Sequence, residues 1–181
     1  AEQQAREAEI EAALERVRSN ALSMSQSSEM IQVTHAVFKE LSQLGIEPIR
    51  FGIGLVNEED EVAKIWITLL RDNKLASIKS ELPLQQPHPL LAKILAVWQE
   101  QGTPFVYRLS GQELLDYYRH LSESHYEVSE HSSTSLLKLA DPQYLIYIPY
   151  LEGGIFTFVK NEPEPPHIAL LSRFSEVFHL S

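Results

Sequence analysis

The apolar positions recur at helical spacing near the start of the chain and then switch to strict alternation. From Ile10 the apolar residues Leu14, Val17, Ala21 and Met24 follow at intervals of 4, 3, 4 and 3, which is a heptad seam. Glu2, Glu9, Glu11, Glu15, Arg16 and Arg18 cover the other sides of this helix. "SQSSE" interrupts with several serines suited to a helix N-cap. A second stripe of Met30, Val33, Val37, Leu41 and Leu44 predicts a helix from about Glu29 to Leu44, stopped by Gly45. Alternation begins in "PIRFGIGLV", where Ile49, Phe51, Ile53 and Leu55 share one face and Arg50, Gly52, Gly54 and Val56 the other. After the turn "NEEDE", "VAKIWITLL" sets Ala63, Ile65, Ile67 and Leu69 against Lys64, Trp66 and Thr68.

The rest of the chain repeats the same vocabulary. A weaker strand is expected at about Leu75–Leu82. Pro87 and Pro89 bracket His88 and open a helix with the stripe Leu91, Ile94, Leu95 and Trp98, closed by Gly102. "PFVYRL" reads as a short strand, and Ser110 with Glu113 forms a capping box for a helix to about Ser122. "SESHYEVSEHSSTS" is a polar loop. "YLIYIPY" and "GIFTFVK" make a hairpin around "LEGG", and a last helix follows "NEPEPP" with Ile168, Leu171, Phe174 and Phe178 inward.

Consecutive strands joined by short turns pair antiparallel, so the expected class is α+β: a central antiparallel sheet of five or six strands, helices on both faces and a long N-terminal helix. One sheet face is uniformly aliphatic and is expected to pack on the terminal helices. The other is expected to carry Gly52, Gly54, Trp66, Thr68, Tyr147, Phe156 and Phe158. Small residues beside large aromatics leave concave space, with the middle helices above it.

Composition narrows the function. The 181 residues suffice for one domain with a real core, and 44% of them are apolar. The net charge of −10 argues against nucleic acid and against an anionic membrane surface, since both need clustered Lys and Arg. There is no Cys, which removes disulfides, thiolate metal sites and thiol nucleophiles and fits a cytoplasmic setting. No apolar run approaches the ~20 residues of a membrane helix. The chain opens on Ala1 and ends in mid-helix at Ser181, so a piece of a longer polypeptide is expected.

The element order resembles a GAF domain, a small-molecule sensor relative of PAS. "AREAEIEAALERVRSNALSM" is similar to the linker that recurs between tandem GAF-like modules in bacterial sensor histidine kinases. "HPLLAKILAVWQEQGTPFVYRLSGQELLDYY" resembles the middle of such modules, and "RFSEVFHLS" their last helix. The hairpin segment "IPYLEGG" departs from their usual polar bend. The resemblance implies a linker helix over 1–26, a GAF-like sensor domain over 27–181, and adjacent domains of a two-component signalling protein as partners. A parallel homodimer is expected through Ile10, Leu14, Val17 and Ala21, with Phe174 and Phe178 of the final helix as a second surface.

The candidate chemistry is sparse. His120, His125 and His131 stand near Glu123, Glu127 and Glu130, and a metal-dependent enzyme using this cluster is the alternative function. The spacings of five and six match no helical ligand pair, and a solvated loop explains them. The run Glu58, Glu59, Asp60 and Glu61 lacks the alternation of a calcium loop. Gly52 and Gly54 lack the third glycine and the following helix of a phosphate loop, and no serine has a G-x-S-x-G elbow. No catalytic residue, metal site or cofactor is therefore assigned. The aromatic load is the better signal. Trp66, His88, Tyr107, Tyr118, Tyr147, Phe156 and Phe158 are the candidate ligand-binding residues, and a small molecule is the candidate ligand.

Overall fold

The computed structural model describes residues 1–22, 29–85, 88–123 and 140–179. The elements are α1 (Glu2–Leu22), α2 (Met30–Gln43), β1 (Pro48–Asn57), β2 (Val62–Arg71), β3 (Lys74–Pro83), α3 (Pro89–Glu100), β4 (Phe105–Leu109), α4 (Gly111–Glu123), β5 (Gln143–Tyr150), β6 (Gly153–Val159) and α5 (Pro165–His179). The six strands form one open sheet in the order β3-β2-β1-β6-β5-β4. Every neighbouring pair is antiparallel. The fold is α+β, and among the described residues five helices accompany the sheet.

Two cores lie on the two faces of the sheet. On one, α1, α2 and α5 pack on Phe51, Ile53, Ile146, Ile148 and Ile155. On the other, α3 and α4 cover Ile65, Ile67, Leu145, Tyr147 and Phe158. The acidic run of the β1–β2 turn is a structural turn. Asn57 Nδ2 donates to Asp60 at 2.8 Å, the Asp60 N–H returns a bond to Asn57 Oδ1, and Glu61 takes the left-handed conformation at φ 54°. This turn fixes the register Gly52↔Ile67, Ile53↔Trp66 and Gly54↔Ile65. Directly paired residues share a face. Trp66 and Thr68 therefore join Ile53 and Phe51 under α2, on the face opposite the one expected for them. Thr68 donates to Thr34 of α2 at 2.9 Å.

The heptad seam is used within the chain. Ala13, Leu14, Val17 and Ala21 are buried in the same core as α2 and α5, as is Phe174, while Ile10 and Phe178 are partly buried against it. Of the expected dimer seam, Leu14, Val17 and Ala21 are thus occupied within a single chain, and Ile10 is partly exposed. A helix lying on two others needs the same one-sided apolar stripe as a coiled coil. Polar clamps reinforce the packing: Arg16 makes a two-pronged bond to Glu40 at 2.6 and 2.8 Å, and Arg173 of α5 reaches Glu7 and Glu11 of α1. Met24 lies outside the described residues.

His35 of α2 hydrogen-bonds Ser77 of β3, next to Thr68. Burial, with Lys39 nearby, holds the His35 pKa below its ordinary value of 6.5. The folded state thus binds this proton less readily than the unfolded chain. The stabilising contribution is present above pH 6.5 and is lost as the pH falls toward the folded-state pKa. Urea midpoints measured across this range should decline on acidification, and His35→Gln should flatten the decline.

Candidate ligand pocket

Three glycines shape the sheet face beneath α3 and α4. Gly52 pairs with Phe156, which pairs with Tyr147, which pairs with Phe105, giving a row of rings across β6, β5 and β4. The Phe156 ring lies over Gly52 so closely that a Cβ there would fall within 2.9 Å of Phe156 Cε2. The Tyr147 ring lies over Gly154 in the same way, with ring atoms 2.5 to 2.7 Å from where a Cβ would stand. The rings recline because these glycines have no side chain. Gly54, paired with Gly154 and Ile65, is different: a Cβ there would meet only the Gly154 carbonyl, at 3.8 Å. The space above Gly54 is open.

That space is a cavity of about 100 Å³. Tyr147, Phe156, Gly54, Gly153 and Gly154 form its floor, and Val56, Ala63, Ile65, Leu82, Pro83, Leu84 and Leu145 complete the sheet side. Leu91, Ile94, Leu95 and Trp98 of α3 and Tyr117 and Leu121 of α4 form the roof. Of the four α3 residues only Trp98 is fully buried, so the roof reaches the surface along Leu91, Ile94 and Leu95. A wider groove of about 620 Å³ opens between the end of α2 and the start of β1, with mixed walls that include Ser42, Glu47, Lys160, Glu162 and His167.

The ends of α3 are pinned, which holds the roof in place. His88 is the N-cap: its Nδ1 accepts from the Leu90 N–H at 3.1 Å, leaving Nε2–H to donate to the Glu113 carbonyl at 3.1 Å. Pro89 occupies the first helical turn. At the other end Gln101, at φ 47°, takes the left-handed cap position, and Trp98 Nε1 donates to the Leu151 carbonyl at 3.3 Å. Gly102 follows the cap rather than forming it.

Of the seven candidate ligand-binding residues, Tyr147 and Phe156 line the cavity. Trp66 stands on the opposite face of the sheet, buried with the residues under α2. His88 is buried beside Tyr117 as a helix cap. Tyr107 on β4 bonds Glu113 through its hydroxyl and lies under Lys93. Tyr118 donates to Gln143 at 2.7 Å. Phe158 packs on Tyr117 behind the cavity wall. Trp98 and Tyr117 are the aromatics that join Tyr147 and Phe156 in the lining. Both stand on the covering helices, Trp98 on the apolar stripe of α3, and helical periodicity does not separate a core ring from a lining ring.

Arg50 is buried behind the cavity. Its guanidinium carbon lies 4.3 Å from the Phe158 ring centroid, 4.8 Å from that of Tyr118 and 6.0 Å from that of Tyr117. Burial pushes the Tyr117 pKa up to about 12, against the opposing pull of Arg50. Burial raises the Tyr147 pKa as well. Both phenols are neutral at physiological pH and cannot act there as bases. Among the described residues no ionisable side chain other than these two phenols lines the cavity. Among the described residues no group of three or more His, Asp or Glu is placed to hold a metal ion. His125, His131, Glu127 and Glu130 lie outside the described residues, and His120 is on α4. Among the described residues no helix is long and apolar enough to cross a membrane.

No protein family, curated protein or solved structure matches the chain.

Proposed function

We propose that this chain is a non-catalytic sensory or signal-relay module, GAF-like in architecture, from a bacterial signalling protein of the sensor histidine kinase type. The observation that carries the reading is the apolar cavity between the sheet and α3 and α4, lined by Tyr147, Phe156, Trp98 and aliphatic side chains. Concave, mostly apolar spaces with a few aromatic walls are where small ligands bind. The resemblance of residues 5–24 and 88–118 to inter-module linkers and module centres supports the same reading. So does the arrangement of α1 and α5, which pack together on the other face of the sheet. A ligand over Gly54 touches β1 and β6, whose opposite faces carry these terminal helices. Homodimerisation belongs to the reading and would use the outward face of α1, since Leu14, Val17 and Ala21 are internal.

The test is a thermal-shift screen of a broad metabolite panel against the native chain and Gly54→Val. A strand Gly costs roughly 0.5–1 kcal/mol relative to Ala, and Gly54 has open space above it. The variant should therefore fold at least as stably as the native chain. A compound should stabilise the native chain and leave the variant unmoved, with hydrogen exchange slowed in α1 or α5 as well as in α3. A panel with no stabilising compound would leave a relay without a ligand.

A further inference from the structure

We infer that the cavity over Gly54 selects an uncharged molecule the size of a single aromatic ring; the inference rests on the cavity's being the ligand site. Among the described residues no acidic or basic side chain lines it, and Tyr147 and Trp98 turn their polar atoms to backbone carbonyls. Tyr147 donates to the Gly153 carbonyl at 3.4 Å and Trp98 donates to the Leu151 carbonyl, while the Arg50 guanidinium carbon lies 6.0 Å from the Tyr117 ring centroid. The cavity thus presents ring carbon and aliphatic carbon. The nearest buried cation, Arg50, stands behind the rings of Tyr117, Tyr118 and Phe158 and lines none of this space. A carboxylate or ammonium entering here would lose its hydration and gain no charged partner among the described lining residues, which favours an uncharged ligand.

Size and shape narrow the class further. An apolar void of ~150 Å³ stays dry and takes up benzene or xenon. This one has about 100 Å³, bounded on one side by the partly exposed α3 stripe, which can yield by a side-chain rotation. Its floor is made of two reclining rings, which favour offset or edge contacts with another ring. A neutral monocyclic aromatic fits, whereas a nucleotide, a tetrapyrrole or an amino acid does not.

The experiment is a titration of the isotopically labelled chain with toluene, benzoate and benzylammonium at neutral pH, followed by amide and indole NMR signals. Toluene should give saturable shifts at Gly54, Gly154 and the Trp98 indole. Benzoate and benzylammonium should bind more weakly by about tenfold or more, because desolvating their charge has no compensation. Gly54→Leu should abolish the toluene response, and Ala63→Leu serves as a second filling variant should the first fail to fold. If either ion shifts the same signals as tightly as toluene, the ligand class is overturned while the site stands. If none of the three gives a saturable response there, or if toluene still binds both filled variants, the site falls and the class with it.

Discussion

Leu14→Glu is expected to unfold the domain, or nearly so, rather than to separate two intact subunits. Leu14 is 4% exposed and belongs to the core formed by α1, α2, α5 and the sheet. Its neighbours on the α1 stripe, Ala13 and Val17, are fully enclosed. A carboxylate at this position loses its hydration and meets only aliphatic and aromatic carbon. An uncompensated buried charge costs ~3–5 kcal/mol, a large part of the ~5–15 kcal/mol that holds a typical domain together. Circular dichroism during urea unfolding reads this directly. The midpoint should fall sharply or the folded baseline disappear. A variant that keeps the native midpoint and changes only its mass in solution would return Leu14 to an interface between copies.

Gly153→Ala should be far more damaging than Gly54→Ala or Gly154→Ala, although the first and last are adjacent. Gly153 opens β6, where the strand meets β1 and turns from β5. A Cβ there would fall inside the Gly54 carbonyl group, 2.7 Å from its carbon, and 3.0 Å from Leu55 Cα. Those atoms are backbone in a paired strand and cannot step aside without parting β1 from β6. At Gly154 the obstacle is the Tyr147 ring, which can rotate away at the cost of its place in the cavity floor. At Gly54 there is no obstacle. Overpacking costs ~1–3 kcal/mol, occasionally more, and the clash at Gly153 is the one that no side-chain rotation relieves. Urea midpoints should therefore rank native and Gly54→Ala highest, Gly154→Ala lower, and Gly153→Ala lowest. Equal midpoints for Gly153→Ala and Gly54→Ala would refute the close approach of β1 and β6.

Much of this architecture is legible in the residues alone, because each helix buries one stripe and the strand side chains alternate between two cores. The alternation in β1, β5 and β6 and the stripes of α2, α3 and α5 translate directly into elements. What periodicity cannot supply is the partner of a stripe. Leu14, Val17 and Ala21 have the spacing of a coiled coil, and the same spacing serves a helix nested between α2 and α5. Phase between strands is the second gap. In β2 each face carries large apolar residues, Ile65 and Ile67 on one and Trp66 on the other, and which of them lies beside Gly52 and Gly54 is settled only by the register that the Asn57–Asp60 turn sets. The pocket was legible only in part. Tyr147 and Phe156 could be read from glycines and rings sharing a face, but His88 is a cap and Tyr118 a partner of Gln143. The aliphatic walls, such as Ala63 and Leu82, carry no signal that distinguishes lining from core.

The sheet face around Gly54 holds an apolar space of about 100 Å³. A crystal structure of the chain determined under xenon pressure tests it most directly, because xenon occupies apolar voids and needs no polar partner. A xenon atom is expected above Gly54, against the Tyr147 and Phe156 rings and beneath Ile94 and Trp98. Side chains of α3 closed down onto Gly54, with no xenon there, would contradict it.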